Sequence, residues 1–168
     1  MLSTIGYEGA SLKDFVATIA ASNVEVLVDV RERAQSRRRG FSKTVLSDAL
    51  AEIGVEYLHF PELGDPKEGR EAARAGDWKK FKRIYSNVIR RKAAQYAIEE
   101  IIEIAKSSNA CLLCYERDPF TCHRKIITDK IAASKGIMAT HLGVRQVESS
   151  SSHRRRVLHP REGIAASV

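Results

Sequence analysis

The stretch CYERDPFTCHR, residues 114–124, carries two thiols, an imidazole, two carboxylates and two guanidinium groups directly after the apolar run ACLL. Asp118 and Pro119 predict a turn, Thr121 an N-cap, and Cys122, His123 and Arg124 the first turn of a helix over CHRKIITDKIAASKG. A helix N-terminus has unpaired N–H groups and a partial positive charge, so each added cation there costs about 0.3 to 1 kcal/mol. His123, Arg124 and Lys125 at that end are a poor choice for helix stability and a good one for holding an anion. The competing reading is that Glu116 and Asp118 neutralise the cluster locally. Cations and a helix N-terminus both favour a thiolate, so Cys122 is expected to ionise easily, with Cys114 facing it across the turn. The pair then has three possible roles: nucleophile with assisting thiol, redox couple, or two metal ligands. The catalytic candidates are Cys122, Cys114, Glu116 and His123, with Glu116 as acid or base.

Metal binding needs explicit weighing, because Cys111, Cys114, Cys122 and His123 are four possible zinc ligands. Cys111 and Cys114 are three apart in a predicted strand, however, and such residues point to opposite faces. No glycine-bearing tight turn joins them, as a zinc knuckle would require. No metal is therefore expected, and Cys111 is read as core.

A second cluster, Arg31, Arg33, Arg37, Arg38 and Arg39, follows the apolar run VEVLVDV. Repulsion within it is relieved by a phosphate or carboxylate, and arginine offers bidentate geometry to either. A solvated charged loop is the plain alternative. The anion-binding candidates are Arg31, Arg37, Arg124 and Ser36. Asp29 supports them by pairing with Arg31 two residues on, and Tyr7, in the segment GYEG, is a second supporting residue. There is no GxGxxG after the first strand, no Walker motif and no GxSxG, so no nucleotide cofactor is expected.

These residues need a scaffold. A chain of 168 residues with 43% hydrophobic and 29% charged residues has the composition of one soluble domain with a real core. It has neither a signal-peptide pattern nor an apolar run long enough to span a bilayer, which leads to a cytoplasmic protein with no membrane partner. Three cysteines in such a chain argue for reduced thiols. The net charge of +7 makes an anionic small molecule or a nucleic acid the expected partner. Part of that excess lies in residues 148–168, a serine- and arginine-rich tail expected to be flexible and dispensable for folding, behind a single α/β domain over 1–147.

Short β-rich runs alternate with helical patterns, as in βαβ units around a parallel sheet. The predicted strands are LSTI, VEVLVDVR, VEYLHF, ACLLCYE and IMATHL. Helices are predicted over residues 11–22, capped by Ser11, and over 41–54, capped by Ser42. Residues 78–108 are helical by propensity, with a phase slip near Arg91 that allows one helix or two. GDPKEGREAARAGD, residues 64–77, reads as a long polar loop, either a lid or a solvated connection. The result is a three-layer Rossmann-like α/β sandwich of about five mostly parallel strands. Its expected strand order is 3-2-1-4-5, with the polar clusters gathered at the carboxyl edge where such sheets bind ligands.

TIGYEG, LVDVRERAQSRRRGFSK, GVEYLHFPELG and CYERDPFTCHR, in this order, resemble the domain-of-unknown-function 488 family over about residues 3–145. The resemblance implies a Rossmann-like α/β domain with an uncharacterised enzymatic site. Its pattern positions here are Asp29, Arg31, Ser36, Arg37, Cys114, Glu116, Cys122, His123 and Arg124. Ala34 stands where the family usually has proline, which implies a less rigid arginine loop. Together these observations favour an enzyme with a Cys/Arg/Glu site acting on a phosphate-bearing nucleotide or nucleic acid. The rival readings are a non-catalytic nucleic-acid-binding accessory module and a thiol redox protein using Cys114 and Cys122.

Overall fold

The computed structural model describes residues 1–146, so the expected flexible tail lies outside the described residues. Five strands form one sheet: β1 Leu2–Gly6, β2 Val26–Asp29, β3 Glu56–His59, β4 Ala110–Cys114 and β5 Ala139–Leu142. All its strand pairs are parallel. Six α-helices accompany them: α1 Leu12–Ala21, α2 Lys43–Ala51, α3 Lys67–Arg74, α4 Trp78–Ile89, α5 Lys92–Ser107 and α6 His123–Lys135. None of the described helices is long and apolar enough to cross a membrane.

Strand order is β3-β2-β4-β1-β5. β1 and β4 are neighbours as expected, but β4 lies between β2 and β1, which corrects the expected 3-2-1-4-5. Pattern explains the outcome. ACLLC of β4 has no hydroxyl side chain and suits the middle of the sheet, whereas β1, though equally buried, carries Ser3 and Thr4. Thr4 Oγ1 bonds His141 Nδ1 at 2.8 Å on the β5 side. The central place of β4 sets Cys114 beside Gly6 and brings Leu113 level with Asp29. The segment CYERDPFTCHR is thus delivered between the ends of two other strands.

The two faces bury separate cores. Phe15, Ile19, Leu46 and Leu50 from α1 and α2 cover Ile5, Leu27, Cys111 and Leu113. Phe81, Tyr85, Ile98, Ile101, Ile127 and Ile131 from α4, α5 and α6 cover Leu2, Val26, Val28 and Leu112. Strand alternation therefore turns Cys111 toward α1 and α2 and Cys114 toward the opposite layer.

Local chemistry accounts for most boundaries. The Ser11 side chain accepts from the Asp14 amide and caps α1. Ser42 occupies the N-cap of α2, but its hydroxyl bonds the Ser36 backbone instead of capping the helix. The phase slip resolves into two helices, α4 and α5, with Arg91 extended between them. Residues 64–77, read as a loop, contain α3. Pro66 precedes its first turn, KEGREAAR is rich in good helix formers, and Gly69 makes room for Asp65, whose Oδ1 would lie 2.0 Å from a Cβ there.

Gly6 is the tightest point of the sheet edge. A Cβ on it would lie 1.8 Å from the Glu116 carbonyl oxygen and 2.7 Å from Arg124 Nη1. Gly6→Ala is expected to destabilise the protein by about 1 to 3 kcal/mol in urea denaturation. Gly143→Ala, with nothing within 4 Å of its Cβ, is expected to stay within about 0.5 kcal/mol of the parent. Equal stability of the two variants would refute this close approach.

Candidate active site

β4 ends on Cys114, and the chain turns back through a 3-10 turn at Pro119–Thr121, capped by the Asp118 side chain, which accepts from the Phe120 amide. α6 starts at His123 with Cys122 as its N-cap residue. The helix therefore begins one residue later than expected, because Thr121 belongs to the 3-10 turn. Cys114 Sγ lies 3.0 Å from Glu116 Oε2 and 3.7 Å from His123 Nδ1, and Cys122 Sγ lies 3.9 Å from the same nitrogen. The other ring nitrogen, Nε2, is 2.9 Å from the Val30 carbonyl, to which its N–H donates. That bond fixes the ring and turns Nδ1 toward the two sulfurs. The Tyr85 ring of α4 packs 5.1 Å from the imidazole.

The electrostatics separate the thiols. Burial opposes ionisation of Cys114, but the hydrogen bond from Cys122 and the charge and hydrogen bond of His123 outweigh it and hold the thiol well below its ordinary value. Burial pushes Cys122 up, and the adjacent Cys114 thiolate pushes it further. Burial and charge thus favour ionisation at Cys114 over Cys122, the reverse of what the helix-end position of Cys122 implied. Burial and then Cys114 push Glu116 up to about 7. His123 rises to about 9, because Cys114 and Glu116 overcome the burial that would lower it. Cys111 sits in the core behind the sheet and burial pushes it up to about 12. Five residues separate it from Arg117, the spacing of a phosphatase loop, but its place in the far core disqualifies it.

Above this floor opens a pocket of about 600 Å³ lined by Cys114, Glu116, His123, Tyr7, Arg31 and the arginine loop. The three segments expected to meet at the carboxyl edge do meet. Arg33 and Arg37 on that loop and Arg74 on α3 line the pocket, are exposed, and have no carboxylate partner among the described residues. Arg70 of α3 also lines it, paired to Glu32 at 2.6 Å. Sequence reasoning missed Arg70 and Arg74 because their segment reads as loop. It also missed Asp65, a buried pocket-lining carboxyl whose Oδ1 has no hydrogen-bond partner among the described residues and which burial pushes up to about 6. The Asp-Pro pair before KEGREAAR was the available signal for it.

Arg31 lines the pocket from a buried position. Its Nε lies 2.9 Å from Asp29 Oδ1 and its Nη2 bonds Oδ2, while Nη1 donates to the Tyr7 hydroxyl and the Phe41 carbonyl, each at 2.9 Å. The Tyr7 hydroxyl donates to Ser36 Oγ at 3.2 Å, and the Arg38 amide donates to the same oxygen at 3.1 Å. Asp29, Arg31, Tyr7 and Ser36 form one network that sets the arginine loop on the sheet edge. Arg124 departs from its expected role. It is 1% exposed, it does not line the pocket, and its guanidinium donates to the carbonyls of Glu116 (2.5 Å) and Arg117 (3.0 Å). A first-turn helical side chain leans toward the helix N-terminus, which carries Arg124 under the preceding loop. It holds the site's backbone instead of an anion. Cys122, 3% exposed, likewise lies behind the floor.

The ligand atoms of Cys114, Glu116, Cys122 and His123 all lie within 4.8 Å of one another, a donor set suited to a thiophilic divalent ion.

A family profile described as "Domain of unknown function DUF488" matches residues 11–131, and the chain belongs to that family. Comparison with curated proteins finds no match, and comparison with solved structures finds none.

Proposed function

We propose, with membership of that family as the premise, that the protein is an enzyme acting on an anionic, phosphate-bearing substrate, a nucleotide or a nucleic-acid end. One observation carries this: the easily ionised Cys114 sulfur lies on the floor of a pocket whose rim holds Arg33, Arg37 and Arg74 without carboxylate partners among the described residues. The rim arginines bind the anion, and Arg31, locked by Asp29, gives the pocket a fixed positive wall. Cys114 and Glu116 form the chemical centre. A carboxyl near neutrality is suited to moving a proton at physiological pH.

The test is the melting temperature of the parent protein with and without inorganic phosphate, pyrophosphate or a nucleoside monophosphate. A ligand at 100 times its Kd adds about 2.7 kcal/mol. The parent is expected to gain stability with at least one of these anions, Arg37→Glu/Arg74→Glu to lose that gain, and Arg91→Glu, outside the pocket, to keep it. A parent indifferent to all three refutes the reading.

A second reading, the non-catalytic nucleic-acid module, is favoured by α4. Lys79, Arg83 and Arg90 lie along its outer side, exposed and without carboxylate partners among the described residues. Such a module shows steep salt dependence and keeps its affinity when Cys114 and Cys122 are removed.

A further inference from the structure

We propose, resting on the reading of this pocket as an active site, that Cys114, Cys122 and Nδ1 of His123 hold a zinc ion, with Glu116 as the fourth donor on the pocket side. Zinc–sulfur bonds of about 2.3 Å and zinc–nitrogen bonds of about 2.0 to 2.1 Å place tetrahedral sulfur and nitrogen ligands about 3.5 Å apart. The two sulfurs stand 3.7 and 3.9 Å from Nδ1, and all four donor atoms fall within 4.8 Å of one another. The two sulfur–nitrogen separations are therefore close to those of a tetrahedral site before any ion enters, and Glu116 Oε2 stands 3.0 Å from Cys114 Sγ.

The surroundings favour the same occupant. Zinc-bound histidines nearly always give their other N–H to a carbonyl or carboxylate, which fixes the tautomer and aims the ring. His123 does this through Nε2 and the Val30 carbonyl. Two thiolates and an imidazole are soft to borderline donors, which select zinc over magnesium or calcium. The elements that carry them are rigid: the end of the central strand for Cys114, and the N-cap and first residue of α6 for Cys122 and His123. Cys111 lies on the opposite face of β4, as its spacing from Cys114 implied, and is not a ligand. Glu116, two residues beyond Cys114, takes that place.

The four donors are not equivalent. Cys122 is buried behind the floor, Cys114 and His123 are buried in the floor itself, and Glu116 is half-buried and lines the pocket. Three strong ligands plus one displaceable oxygen facing the ligand cavity is the arrangement of a catalytic zinc site rather than a structural one. A substrate oxygen held by the rim arginines would reach the ion by displacing Glu116, and the ion would polarise it as a Lewis acid.

The full chain, stripped with a chelator, is titrated with Zn²⁺ and with Co²⁺ as the spectroscopic probe. The expected result is one equivalent bound, with the visible bands of tetrahedral cobalt and a near-ultraviolet thiolate-to-cobalt band. Cys114→Ser and Cys122→Ser are expected to weaken binding by more than about 100-fold, and Glu116→Gln by about 10-fold with the thiolate band retained. Cys111→Ser should change nothing. If a serine variant fails to fold, protection decides: one equivalent of Zn²⁺ should shield Cys114 of the parent from iodoacetamide. Binding weaker than about 1 μM, cobalt spectra without thiolate bands, or no protection overturns the zinc site. A chain that binds zinc but no phosphate refutes the proposed function and leaves this site standing. One that binds phosphate but no zinc does the reverse.

Discussion

Asp29→Ala is expected to destabilise the protein by about 3 to 5 kcal/mol, the cost of leaving a buried charge without its partner. Asp29 is 0% exposed and accepts from Arg31 Nε and Nη2, from the Arg31 amide and from the Tyr57 hydroxyl. Burial alone would lower the proton affinity of Arg31, but Asp29 reverses that and raises it. Removing the carboxylate therefore strands a cation that cannot be neutralised, together with an unpaired phenol. Asp29→Ala/Arg31→Met removes both charges, and the double variant is expected to regain more than half of the loss. Urea denaturation of the three proteins measures this. A single variant within about 1 kcal/mol of the parent, or a double variant worse than the single, contradicts the buried pair. The same substitution should disturb the arginine loop, because Arg31 ties Asp29 to Tyr7 and the Phe41 carbonyl.

The strands were legible because each is a short β-rich run bounded by turn residues, and the break between α4 and α5 showed as a phase slip near Arg91. The position of β4 was not. Hydrophobic pattern says which strand suits the centre, but strand order also depends on which slot each crossover leaves open. α3 was missed because KEGREAAR is mostly charged and contains glycine, and the purpose of Gly69, room for Asp65, exists only in three dimensions.

At the site, residue type and spacing found Cys114, Glu116, His123 and the arginine loop. They misjudged Arg124 because side-chain direction depends on the helix start, which turned out to lie at His123. They weighed Cys122 by its helix end alone, whereas burial and the neighbouring Cys114 oppose its ionisation. Arg70, Arg74 and Asp65 escaped notice together, as residues of one segment read as a loop.

The central claim is that Cys114 is the ionised sulfur of an anion pocket, and the rate of iodoacetamide alkylation against pH, mapped cysteine by cysteine in the metal-free protein, tests it most directly. Alkylation follows the thiolate fraction. A thiol whose value is lowered stays reactive as pH falls and loses reactivity only on passing below its own pKa. Cys114 is therefore expected to reach its plateau rate well below about 8.5, the ordinary thiol value. Cys122 and Cys111 should stay silent across that range, since burial raises both. Phosphate should slow Cys114 by occupying the rim, and Arg37→Glu/Arg74→Glu should abolish that protection. If Cys114 instead titrates with an ordinary midpoint, or alkylates at the same rate with and without phosphate, the thiolate-and-anion site is wrong.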